Sequence, residues 1–328
     1  MNTTMQESWA QPLTVTEAIE KGAQLLTKAG VSFGHGTLNA WDEAAWLVLW
    51  QLGLPLDTPL DTPLDTPSDT PLDANIESAD SNNIYMRNQP VSGVDIAKIA
   101  TLFEARITTR KPAAYLTQEA WLQGVPFYID ERAIVPRSHI AQLLADGSFD
   151  DWLGPHTQQV LDMCTGNGSL AVLAAMTYPE THVTGADISI DALAVAHINV
   201  AKHHMQNRIS LIESNGWNAL QGQVFDLILC NPPYVNSQSM KALPAEYLAE
   251  PDLALAGGFD GMDFIRTFFA GASQHMSEHA VIVLEIGNER DYFEKAFPDL
   301  AVDWLETAAG WDQVLLVTKN ALQNHLNQ

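Results

Sequence analysis

The chain is 328 residues long, room enough for two domains, and its 46% hydrophobic content is that of an ordinary globular protein. Its 40 acidic and 16 basic residues leave a formal net charge of −24; this argues against direct nucleic-acid binding, which is built on Lys and Arg, and favours a basic protein partner drawn to an acidic surface. No apolar run approaches the ~20 residues of a membrane span, so no membrane partner is expected.

Residues 1–12 are polar and lack the basic and apolar regions of a secretory signal. The two cysteines, Cys164 and Cys230, each end a predicted strand and suggest no disulfide framework, so the expected location is cytoplasmic. Helices are predicted near 14–30, 38–52 and 92–109. Their core sets are Leu25 and Leu26; then Leu38, Trp41, Ala45, Val48, Leu49 and Leu52; then Ile96, Ile99, Leu102 and Phe103. They make a small helical N-terminal domain over 1–119. Inside it Asp57-Thr58-Pro59 recurs as Asp61-Thr62-Pro63, Asp65-Thr66-Pro67 and Asp69-Thr70-Pro71. A proline at every fourth position excludes helix and sheet interior, so 55–83 is expected to be a disordered surface insertion. A proline-rich ligand for an adaptor domain is the functional alternative.

The second domain is expected over 120–328. It opens on residues 121–135, where Trp121, Val125, Phe127, Ile129, Ile134 and Val135 flank Asp130-Glu131-Arg132. This pattern predicts a β-hairpin bridging the domains and ended by Pro136. From 158 strands and helices alternate. Strands are predicted at 158–163, 181–187, 208–213, 224–230, 279–286, 300–306 and 312–318, and helices at 168–178, 189–204, 261–275 and 288–296. Such alternation is that of an α/β fold with a seven-stranded, mostly parallel sheet covered on both faces. Only a short connection containing Gly310 joins the last two strands, so they must pair antiparallel.

Val160-Leu161-Asp162-Met163-Cys164-Thr165-Gly166-Asn167-Gly168 carries a strand through a glycine turn toward a helix. Gly166 and Gly168 let a ligand approach the backbone. Asp162 can accept a hydrogen bond from a ligand ammonium or from the turn's own N–H groups. With Ala171 the spacing satisfies the dinucleotide fingerprint, so a dehydrogenase has to be considered. Asp187 ends the next strand about 20 residues on, where a ribose diol is held. NAD and S-adenosyl-L-methionine both present that diol, and Asp187 with Ser189 also suits a helix cap. After the third strand Asn215 can hydrogen-bond an adenine edge and Trp217 can stack on it. An Asn-Gly turn with a core tryptophan is the structural alternative.

Asn231-Pro232-Pro233-Tyr234 follows the fourth strand. Neither proline has an N–H for a ladder, so the strand stops at the sheet edge where ligands bind. Methyl transfer to an –NH2 group has a use for this set. The Asn231 side-chain oxygen and the Pro232 carbonyl orient the nitrogen through its two hydrogens. They also stabilise the positive charge that develops on it, and Tyr234 packs against the planar group. Hydride transfer has no use for these residues, so the cofactor expected is S-adenosyl-L-methionine. The 10 histidines show no metal-ligand spacing, and no metal is expected.

The segments around Asp162, Asp187 and Asn231 together resemble the class I (Rossmann-like) S-adenosylmethionine-dependent methyltransferases of the protein glutamine type. Arg110-Lys111-Pro112-Ala113-Ala114-Tyr115-Leu116, Val135-Pro136-Arg137-Ser138 and Glu250-Pro251-Asp252 through Gly257-Gly258-Phe259-Asp260-Gly261 are similar to the branch that modifies ribosomal large-subunit protein 3. The resemblance implies a helical substrate-recognition domain and a seven-stranded catalytic domain. It also implies that Thr165, Gly166, Asn167, Gly168 and Asp187 serve the cofactor, while Asn231, Pro232 and Tyr234 grip a glutamine amide. The chain departs from the family in having Asn215 where Asp is usual and Ser169 where cysteine is usual. Two other readings stand beside this one: an adenine amino-methyltransferase acting on a flipped base, and a catalytically silent S-adenosylmethionine-binding partner of the ribosome.

Overall fold

A computed structural model describes residues 9, 12–56, 58 and 88–327. Apart from Pro55, Leu56 and Thr58, the 55–83 repeat segment lies outside the described residues. The chain divides into two units, Met1–Thr117 and Gln118–Gln328.

In the first unit a capping box starts α1 (Val15–Ala29): Glu17 N donates to the Thr14 hydroxyl, and Thr14 N donates to the Glu17 carboxylate. Asn39 caps α2 (Ala40–Leu52) and Ser92 caps α3 (Gly93–Thr109); α4 (Ala113–Thr117) is short. Leu26, Ile96, Ile99 and Phe103 are buried as the periodicity predicts. The buried face of α2 includes Val48 and Leu49, as expected, but is otherwise shifted from the expected one. Leu38 precedes the Asn39 cap and is 87% exposed, whereas Glu43, Ala44, Trp46 and Leu47 are buried. An ion pair accounts for the difference: the fully buried Arg106 donates from Nε to Glu43 at 2.7 Å, which draws a polar position of α2 inward.

The second unit opens with the hairpin β1 (Glu119–Leu122) and β2 (Val125–Tyr128). Its turn is Gln123-Gly124 and not Asp130-Glu131-Arg132. Both turn residues have positive φ, 50° and 73°, the two-residue geometry that matches strand twist. The Asp130 carboxylate instead accepts from the backbone and the guanidinium of Arg132, closing a local loop.

The main sheet contains β3 (Gln159–Met163), β4 (His182–Asp187), β5 (Ile209–Glu213), β6 (Phe225–Cys230), β7 (Met276–Glu285), β8 (Asp303–Thr307) and β9 (Gly310–Thr318). These 7 strands lie in the order β5-β4-β3-β6-β7-β9-β8. Every pair is parallel except those of β9, which runs antiparallel to β7 and β8. Accompanying helices are α5 (His139–Asp146), α6 (Ser169–Thr177), α7 (Ile190–Lys202), α8 (Ser237–Met240), α9 (Asp263–Ala272), α10 (Arg290–Ala296) and α11 (Lys319–Leu326). Periodicity does not predict α5, although Ser138 caps it and Ile140, Leu143 and Leu144 are buried.

Along β3, Val160 packs to one side with Leu143 and Leu170, while Leu161 and Met163 pack to the other with Phe268 and Phe269. Cover on both faces is why these strands read as continuous apolar runs. Chain order reverses at β3, which pairs β4 on one side and β6 on the other. The crevice at the carboxyl ends of such strands is the ligand position of open α/β sheets. Register sets Met163 beside Cys230, so the glycine turn after β3 and Asn231 after β6 leave the sheet side by side.

Candidate active site

A cavity of about 530 Å³ lies at this switch point, within the ~300–1,000 Å³ of small-molecule sites. Thr165, Gly166 and Asn167 of the glycine turn line it, with Asp187 and Ile188 after β4, Asn215 and Gly216 after β5, and Asn231 to Tyr234 after β6.

Asp187 ties the turn to the next helix. Gly166 N donates to Oδ2 and Ser189 N to Oδ1, each at 2.8 Å. Burial nevertheless raises its pKa against those bonds. Ile188 gives a third backbone bond, so about one of a carboxylate's roughly four lone-pair sites stays open toward the cavity. Ser189 accepts from Ala192 N and caps α7, so the cap is the role of Ser189 and not of Asp187. Gly166 and Cys164 both have positive φ, 55° and 61°. The Cys164 thiol is pushed well up by its hydrogen bond with Cys230 and by burial, which makes it a poor nucleophile.

The Asn231-Pro232-Pro233-Tyr234 loop is held from behind by the 250–261 segment. Val235 N donates to Leu255 O, and Gly257 N donates back to Val235 O, both at 2.9 Å. The backbones meet so closely that a Cβ on Gly261 would sit 2.2 Å from Tyr234 O; with φ at +81°, only glycine fits there. The Tyr234 hydroxyl faces Glu285 Oε1 at 3.3 Å. Burial first, then the Glu285 charge, push the phenol pKa up, so it stays protonated. On the adjoining wall Arg137 makes two hydrogen bonds to the buried Glu250 carboxylate, at 2.6 and 2.5 Å. Burial disfavours the Arg137 charge, but Glu250 outweighs it and raises the pKa.

Residues 142–257 match the family model described as "Methyltransferase small domain". The ribosomal protein uL3 glutamine methyltransferase of Bordetella pertussis is 46% identical over 97% of this chain and 99% of its own length. The enzyme of the same name from Burkholderia pseudomallei is 41% identical over 94% of this chain and 95% of its own. The chain belongs to the ribosomal protein uL3 glutamine methyltransferase family. Among solved structures, a ribosomal protein L11 methylase from Lactobacillus delbrueckii subsp. bulgaricus has 19% identity and a TM-score of 0.38, covering 56% of this chain and 79% of that one.

In this methyltransferase, eight of the residues singled out from sequence reach the cavity wall: Thr165, Gly166, Asn167, Asp187, Asn215, Asn231, Pro232 and Tyr234. Three do not. Asp162 is fully buried behind the turn, accepting from the Thr165 hydroxyl and Ala171 N, so it binds the turn rather than facing the cavity. Gly168 faces α7, where a Cβ would lie 3.0 Å from Ala196 Cβ; its glycine serves helix packing. Trp217 is a core residue. Its ring stacks on Phe268 and His275, and its Nε1 donates to Phe268 O. Asn215 lines the cavity and precedes Gly216, whose φ of 54° makes the expected turn. Sequence reasoning missed the Arg137–Glu250 pair, although both segments bear a charged residue beside proline, and it missed Asn199, a polar helix residue with no distinguishing pattern.

Proposed function

We propose that this chain transfers a methyl group from S-adenosyl-L-methionine to the side-chain amide nitrogen of a glutamine in ribosomal protein uL3. The carrying observation is that the Asn231-Pro232-Pro233-Tyr234 loop and the glycine turn line one cavity in a member of the uL3 glutamine methyltransferase family. Asp187 suits the cofactor's ribose diol, the backbone of Thr165, Gly166 and Asn167 its chain, and Asn215 its adenine edge. When bound, S-adenosylmethionine supplies an electrophilic methyl on a sulfonium.

An amide nitrogen is a poor nucleophile because its lone pair is delocalised. The Asn231 side-chain oxygen and the Pro232 carbonyl accept from its two hydrogens, hold it in line, and stabilise the positive charge that develops on it. Tyr234 packs against the amide plane. The methylated nitrogen is acidic and sheds its proton, so direct displacement needs no strong base and no covalent intermediate with the protein.

The helical first unit, Met1–Thr117, serves substrate recognition, and the second, Gln118–Gln328, holds the hairpin and the catalytic sheet. The net charge of −24 suits a basic ribosomal protein and not a nucleic acid, which favours glutamine over adenine as acceptor. A ribosomal-protein acceptor supports a cytoplasmic location. Among the described residues no helix is long and apolar enough to cross a membrane, and no group of three or more His, Cys, Asp or Glu is arranged to hold a metal ion. The test is transfer of tritiated methyl from S-adenosylmethionine into unmethylated ribosomal proteins, with mass spectrometry of the labelled band. Label on a glutamine nitrogen of uL3 is expected; label in nucleic acid, or none, overturns the reading.

A further inference from the structure

The Glu285 carboxylate ends β7 beneath the cavity and is 1% exposed. It does not line the cavity, yet it holds two parts that do. Oε2 accepts from the Ser138 hydroxyl at 2.6 Å and from His139 N at 2.9 Å. Oε1 faces the Tyr234 hydroxyl at 3.3 Å. Ser138 caps α5 and continues the Pro136–Arg137 wall; Tyr234 belongs to the adjoining, strand-end wall. The Tyr234 ring is also confined from one side, because a Cβ on Gly287 would come within 2.5 Å of its Cε2. Ring tilt therefore has two determinants: the bare Gly287 backbone against its face and Glu285 at its hydroxyl.

We infer that Glu285 is a positioning residue for methyl transfer, setting the tilt of Tyr234 and the distance between the two walls that receive the acceptor amide. This rests on the glutamine N-methyltransferase reading above. Burying a carboxylate without a cation bonded to it is costly; burial raises the Glu285 pKa, and donors drawn from two separate segments offset part of that cost. An uncharged residue would fill the same volume without drawing Tyr234 and Ser138 to one point. Supporting contacts of this kind hold reacting groups to the tolerance that transfer demands, and a misplacement of about 1 Å costs on the order of 100-fold in rate.

Steady-state methylation of uL3 by wild type, Glu285→Gln, Tyr234→Phe and the double variant, with cofactor affinity by calorimetry, tests the inference. Glu285→Gln is expected to lower kcat about 10- to 100-fold while the S-adenosylmethionine Kd stays within about twofold. In the Tyr234→Phe background the same substitution should cost much less, since the hydroxyl it acts through is gone. A merely structural carboxylate would give additive losses and a weakened cofactor Kd, and either result overturns the inference. Tyr234→Phe deletes only a hydroxyl, so it keeps the test open should Glu285→Gln fail to fold: wild-type kcat in Tyr234→Phe also overturns it. Absence of transfer by the wild type has a different meaning, because it sinks the proposed function and this inference with it.

Discussion

Arg137 and Glu250 stand 113 residues apart in the chain and meet in a two-bonded ion pair whose carboxylate is wholly buried. Glu250 Oε1 also accepts from Val135 N at 3.0 Å. One side chain thus fixes both the loop before α5 and the segment that clasps Tyr234. Removing one member of such a pair leaves an uncompensated charge, which is worse than removing both. Glu250→Ala should lose about 3 kcal/mol of stability, measured as a fall in the urea midpoint. Arg137→Met combined with Glu250→Leu should recover part of that loss. A double variant less stable than Glu250→Ala would mean that the pair contributes more through its geometry than through mutual neutralisation.

Asn231 separates binding from chemistry. Asn231 follows β6 and lines the cavity beside the glycine turn, and its proposed partner is the acceptor amide rather than the methyl donor. Asn231→Ala is expected to reduce kcat by roughly 100- to 1,000-fold, the usual loss for one preorganised group that stabilises developing charge. Calorimetry should find the S-adenosylmethionine Kd changed by no more than about threefold. Parallel loss of cofactor binding would show that Asn231 acts on the donor half of the cavity and not on the acceptor.

The strands and the glycine turn were legible because burial on both sheet faces leaves apolar runs, and positive φ leaves glycines, at fixed places in the sequence. Those signals are local. The features that escaped are long-range pairings of polar groups, for which no period exists. Glu43 turned a face of α2 inward because Arg106 reaches it from α3, and no pattern within α2 announces that. The hairpin turn was misplaced because Asp130-Glu131-Arg132 is the more polar stretch, yet Gln123-Gly124 is the one that takes two positive φ values. Trp217 beside an Asn-Gly turn fits a base-stacking residue as well as a core one; its neighbours Phe268 and His275, far along the chain, decide for the core.

Asp162 gives the fold a dependence on pH. Burial raises its carboxyl to about 7, against the opposing hydrogen bonds from Thr165 and Ala171, and Oδ1 has no hydrogen-bond partner. An unfolded aspartate titrates near ~3.9. The folded protein therefore keeps a proton that the unfolded chain releases. Its contribution to stability is fully present below about pH 4 and is lost as pH rises to about 7, by roughly 4 kcal/mol at most. Asp162→Asn copies the protonated shape and removes that loss. Urea unfolding from pH 5 to 8 should show the variant gaining on the wild type as pH rises. A gap independent of pH would mean that Asp162 is ionised in the folded state throughout.

Asn199 joins the hairpin to the glycine turn. It is fully buried on α7; its Nδ2 donates to Tyr128 O at 2.9 Å and to Asn167 O at 2.8 Å, and its Oδ1 accepts from Tyr128 N at 2.7 Å. Asn167 in turn reaches from Nδ2 to Ile134 O, and its Oδ1 accepts from Ser169 N. One amide thereby holds the end of β2 against the glycine turn and, through Asn167, against the loop carrying Ile134. Asn199→Ala would take a partner from the buried Asn167 O and from the half-buried Tyr128 N and O, and each buried unpaired group costs about 1–3 kcal/mol. Stability should fall by ~3 kcal/mol in urea unfolding. Because the slackened turn is the one proposed to bind the cofactor, the S-adenosylmethionine Kd should rise about tenfold, a coupling of ~1.4 kcal/mol, while kcat at saturating cofactor stays close to wild type. A stability loss with an unchanged Kd would confine Asn199 to the fold; a fall in kcat instead would mean that the turn it holds also sets the acceptor wall.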